Sequence, residues 1–200
     1  MATLMRARLE MLPARPQTLW GWPAAINFAL GGLGAGWSTV ALPAPGRERP
    51  PGVTPASWAV PVLVPTGFAA VAGEAGRPLR GPRVLRRLGT SWMSRELLIG
   101  IAFVLLIAAD LAFPLRVHRA QALVAATLLA VAQGFILRRA RGIPAWNVPI
   151  VPALFLLSAL LSGAGMYLVV EAAAGRPPQP AVVGAVLRLV GIALFPGAGV

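Results

Sequence analysis

The sequence contains no cysteine and a single histidine, His118. Without thiols the chain holds no disulfide, thiolate zinc site, iron–sulfur cluster or cysteine nucleophile. With one histidine it cannot by itself ligate a bis-histidine haem. Acids are scarce, six Asp and Glu in 200 residues. Lysine is absent, so all 18 basic residues are arginines, and the net charge is +12. Such a charge fits a nucleic-acid binder in principle. Here, though, the arginines form no surface interleaved with aromatics. They cluster between apolar runs, as the basic loops of membrane proteins do.

What the chain has in excess is apolar. Hydrophobic residues make up 57% and charged residues 12%, with a mean hydropathy of +0.73. A soluble domain of this length cannot hide so much apolar surface, and average soluble chains carry about 25% charged residues. Lipid is the implied solvent.

A bilayer core of roughly 30 Å needs about 20 apolar residues in a helix. The runs are Trp20 to Leu42, Val53 to Gly73, Leu97 to Phe113, Val117 to Leu137 and Val148 to Val170. A sixth starts near Ala181, reaches Phe195, and is cut short at Val200. The expected fold is an all-α integral membrane helix bundle, five complete spans plus a truncated sixth. Residues 1–19 form an N-terminal cytoplasmic segment and 20–200 the transmembrane domain. Short loops make neighbouring helices antiparallel. Twelve arginines then fall on one side and five on the other, with Arg188 inside the sixth run. That bias places the N-terminus and both long basic loops in the cytoplasm.

Glycines 31, 32, 34 and 36 lack the strand and the acid of a dinucleotide loop. Gly32 and Gly36 have the spacing that lets helix backbones approach closely. Acids in or near a membrane are functional candidates, and four qualify: Glu74, Glu96, Asp110 and Glu171. Glu74 closes the second run and Glu96 opens the third, so both lie at one face. Carboxylates there can accept the protons of a quinol oxidised at the membrane surface. A plainer role for Glu96 is a helix-start acid behind an N-cap, Ser94. Asp110 lies fourteen residues beyond Glu96, roughly 21 Å of helix; it reads as an interfacial acid paired with Arg116 or Arg119, with a proton-path residue as the alternative. Glu171 reads as a boundary residue. Asn27 and Gln133 read as helix-to-helix hydrogen bonds.

Three segments carry a resemblance. They are Trp22-Pro23 with Asn27 to Gly36; Gly76-Arg77-Pro78 with Thr90 to Glu96; and Arg141 to Asn147. Together they resemble the membrane anchor subunits of dimethyl sulfoxide reductase and the wider polysulfide reductase anchor group. The likeness runs from about Trp20 to Val170. It implies a haem-free, quinone-binding subunit that anchors an iron–sulfur subunit and a molybdopterin catalytic subunit in the bacterial inner membrane. It is similar in plan to the membrane subunit of phenylacetyl-CoA:acceptor oxidoreductase. The family's quinol-site acid falls on Glu96. A family histidine falls on Glu74, which keeps a proton acceptor but changes the hydrogen bonding. Arg77 and Ser91 are the neighbouring candidates, and Trp146 and Asn147 weaker ones. Electrons leaving a quinol find no metal centre in this chain and must pass to a partner; the basic loop between Glu74 and Glu96 is a docking surface for it. The rival readings are a small transporter or permease fragment and a purely structural anchor. Internal repeats would mark a transporter, and none is evident.

Overall fold

The computed structural model describes residues 21–42, 55–74, 81–140, 146–177 and 179–194. The segment 1–19 and Arg77 lie outside them. Among the described residues all regular structure is helical, with no strand. The long helices are α1 (Trp22–Ala41), α2 (Pro55–Glu74), α4 (Trp92–Ala112), α5 (Arg116–Arg138) and α6 (Val151–Ala173). A short α3 (Gly81–Val84), continued by a 3-10 turn at Leu85–Arg87, joins α2 to α4. The shorter α7 (Pro180–Leu194) rests on α6. By length and composition, α5 and α6 are each able to cross a bilayer.

Helix boundaries follow local chemistry. α4 begins five residues before the apolar run does, because Ser91 caps it, its hydroxyl accepting from the Ser94 amide at 3.4 Å. The cap is therefore Ser91, not Ser94. Ser94 instead donates its hydroxyl to the Val84 carbonyl. The earlier start puts Glu96 inside the helix rather than at its first turn. α2 stays helical through Pro61 and Pro65, which neighbouring helices make tolerable.

α1 is the hub, packing on α2, α5 and α6. Its glycines explain how. Gly34 faces Val64 of α2, and Gly32 faces Phe155 of α6. A Cβ on Gly31 would collide with the Gln133 amide of α5. A Cβ on Gly36 would run into the Ala159 carbonyl of α6. So Gly32 and Gly36 do form a packing seam, and it faces α6. Side by side at the centre lie Phe103, Ala126 and Leu129, all fully buried, with Ile107 and Ala122.

The two ends of the bundle differ. One face carries the start of α1, the end of α2, the α3 connector and the start of α4. The other carries the α4–α5 turn and the end of α6. At that second face Asp110 is fully buried and stands 3.9 Å from Arg119. Glu171 proves more than a boundary residue. It is buried and takes two hydrogen bonds from Arg176, at 3.1 and 3.2 Å. These bonds push the exposed Arg176 guanidinium above its usual range and keep it charged.

Candidate functional site

Three polar side chains from three helices meet inside the first face. Asn27 of α1 donates Nδ2–H to Glu96 Oε1 at 2.8 Å. Gln133 of α5 donates Nε2–H to the same oxygen at 2.9 Å. The Gln133 amide also reaches the Asn27 carbonyl at 3.3 Å. Relative exposures of 5%, 4% and 0% remove Asn27, Glu96 and Gln133 from solvent.

Depth agrees across the three helices. Asn27 lies five residues inside α1, Glu96 four inside α4 and Gln133 five inside α5. At ~1.5 Å per residue the cluster sits roughly 6–8 Å below the helix ends.

Glycines make the cluster possible. Gly31 leaves the room that the Gln133 amide occupies, and a Cβ on Gly67 of α2 would stand 3.0 Å from Asn27 Oδ1. Gly31→Ala should therefore push the Gln133 amide off Glu96. We expect the bundle to stay folded but to lose about 1 kcal/mol of stability, the net worth of one hydrogen bond, read as a lower thermal midpoint.

The chemistry available is specific. Buried carboxylates ordinarily require an ion pair. Among the described residues Glu96 has none. Its carboxyl oxygen meets two amide N–H dipoles instead, bonds that strengthen when the carboxyl is ionised. It can take up a proton without breaking a salt bridge. Among the described residues Gln133 Oε1 is buried and no donor reaches it, which leaves an acceptor beside the carboxylate. Among the described residues no three His, Asp or Glu side chains gather as a metal site.

The other expected site residues divide. Glu74 ends α2 on the same face but is exposed, lying at the start of α1, where a Cβ on Gly21 would stand 2.8 Å from its Oε1. Six residues of α1, ~9 Å, separate Gly21 from Asn27, so Glu74 stands above the buried cluster. The hydroxyl of Ser91 is used as the α4 cap. Trp146 is half-buried and Asn147 exposed in the α5–α6 connection. Asp110 lies at the opposite face. Asp110→Ala should lower stability by about 1–3 kcal/mol by stripping a buried charge partner from Arg119, with the Asn27–Glu96–Gln133 cluster undisturbed; a lower thermal midpoint is the readout.

Asn27 and Gln133 were expected only as helix contacts. Their convergence on Glu96 was the missing element. Each is a lone amide at the same depth in an apolar run, and equal depth was the available signal.

The family of the DMSO reductase anchor subunit (DmsC) matches residues 39–195. The chain belongs to this anchor family. The match spans α2 to α7 and includes both Glu96 and Gln133. No curated protein and no solved structure matches the chain. As a family member the chain is a membrane anchor subunit of a DMSO reductase-type complex. In the anchor, the carboxylate picked out by resemblance is buried and hydrogen-bonded by amides from two other helices.

Proposed function

We propose that the anchor binds quinol at the Asn27–Glu96–Gln133 cluster and passes its electrons to an iron–sulfur subunit serving a molybdopterin catalytic subunit. The observation that carries this reading is Glu96, buried between two amide donors beside the unpaired Gln133 Oε1. A bound quinol supplies two electrons and two hydroxyl protons.

This chain's residues handle the protons and the geometry. Gln133 Oε1 accepts one ring hydroxyl and orients it. Glu96 takes the two hydroxyl protons in turn as general base, releasing the first before it accepts the second. Asn27 and Gln133 hold the carboxylate in place, and the packed helices around it exclude water. Glu74, exposed at the same face, receives the proton on its way to bulk. Ser91 caps α4 on the same face, and Arg77 follows Glu74 by three residues in the sequence. All five long helices span the bilayer in this reading.

The arginine bias puts the Glu96 face in the cytoplasm of a bacterial inner membrane, with the N-terminus on the same side. An acyl-CoA cannot leave the cell, so a catalytic partner on that face suits phenylacetyl-CoA as substrate. Reporter fusions that place residues 81–87 outside would sink the orientation and, with it, the acyl-CoA.

Binding tests the core of the proposal. A fluorescent quinone-site ligand titrated into the detergent-solubilised complex should saturate, and Glu96→Gln should weaken it about tenfold, near the 1.4 kcal/mol that a tenfold change represents. Equal affinity in the two proteins would overturn the assignment.

A further inference from the structure

The connector between α2 and α4 crosses the Glu96 face as α3 and the 3-10 turn. Arg83, Arg86 and Arg87 are spaced i, i+3 and i+4, so helical geometry puts them on one side. All three are exposed. Leu85 and Leu88 fall on the other side and are half-buried.

The start of α4 holds this connector in place. Ser94 Oγ donates to the Val84 carbonyl at 2.7 Å. Arg95 donates from Nε to the Leu88 carbonyl and from its terminal nitrogen to the Gly89 carbonyl, each at 2.8 Å. The same guanidinium lies 4.5 Å over the ring of Trp92. Trp92 in turn stacks on Phe135 at 4.3 Å, nearly parallel. Arg95 is thus committed to the fold, and the three connector arginines are left facing outward. Phe135 sits two residues from Gln133, and Glu96 follows Arg95 directly. The outward arginines are therefore built onto the same helical turn as the buried carboxylate.

We propose that this basic, rigidly held face receives an acidic surface of the electron-accepting subunit, with Arg83, Arg86 and Arg87 as contacts and Arg95 as their positioning residue. The proposal rests on the reading above, in which such a subunit exists. Like charges three and four residues apart on a helix repel one another modestly, and none of the described ion pairs involves these three. Complementary charge steers and registers a protein partner. A surface fixed before encounter also loses less freedom on binding. A headgroup-binding loop gains nothing from such a clamp. The site would seat the partner's electron entry over α4, next to the carboxylate that takes the proton.

The experiment is retention of partner iron by affinity-purified complex across a salt series. The triple variant R83E/R86E/R87E should lose partner iron about tenfold more readily, with a flattened salt dependence. Arg95→Lys keeps the charge but loses the fork. It should weaken retention while leaving the salt slope intact, which a mere charge effect would not do. Arg116→Glu, at the opposite face, should leave retention unchanged. A triple variant that keeps its partner overturns the surface alone. So does one that keeps its partner yet loses preference for anionic over neutral vesicles, since the arginines then serve lipid. A wild-type chain that brings down no iron–sulfur partner overturns both the surface and the reading beneath it, even if it binds the quinone-site ligand.

Discussion

Glu96→Gln should cut quinol oxidation by about 10²–10⁴-fold, the range a positioned general base contributes, while the complex still assembles. Glutamine keeps an acceptor oxygen for the Asn27 and Gln133 amides, which meet Glu96 at 2.8 and 2.9 Å. It loses the capacity to take a proton and, with it, about a tenfold share of the ligand affinity. Geometry is therefore preserved where chemistry is removed. Turnover of reconstituted complex with a soluble quinol, beside subunit stoichiometry, measures both. Unchanged turnover would leave the anchor passive and sink the proton-acceptor role.

The second large effect is structural. Gly163→Leu should prevent α1 and α6 from packing. A Cβ on Gly163 would already meet the backbone of Gly36 and Trp37, and one on Gly36 the Ala159 carbonyl. Backbone, unlike a side-chain tip, has no rotamer to escape into. Overpacking a core usually costs about 1–3 kcal/mol; here two helices must separate, so the loss should exceed that. The expected result is a protein that fails to run as a single species in size exclusion, with no quinol oxidation to measure. A monodisperse, active variant would show that the seam tolerates separation. Leucine at Gly165 is the control, since a Cβ there meets nothing within 4 Å.

Much of the fold was legible because lipid imposes a long-period rule. The apolar runs mark α1, α2, α4, α5 and α6 to within a few residues, and the prolines in α2 did not mislead. The boundary at α4 was read late because the polar first turn, Trp92 to Glu96, belongs to the helix through a serine cap rather than through hydropathy. α1 as hub was half legible. The glycine spacing pointed to close packing, but not to four glycines serving three different neighbours.

The site was legible in its carboxylate and not in its partners. Glu96 stands out as an acid near a membrane run. Asn27 and Gln133 lie 69 and 37 residues from it in sequence, and nothing local announces which amides will meet. Asp110 could be excluded from the site by helix length alone. Glu171 could not be read at all, because its role depends on Arg176 in a loop beyond the helix.

The apolar middle of the bundle has an electrical consequence. Phe103, Ala126 and Leu129 are fully buried between the Glu96 cluster and Asp110. Among the described residues they offer no hydroxyl, carboxylate or amide to hand a proton along. In the proposed reading, protons and electrons both enter and leave on the Glu96 side. In that reading turnover moves no charge across these three residues, and the anchor is an insulated terminal on the quinone pool, drawing reducing power without itself charging the membrane.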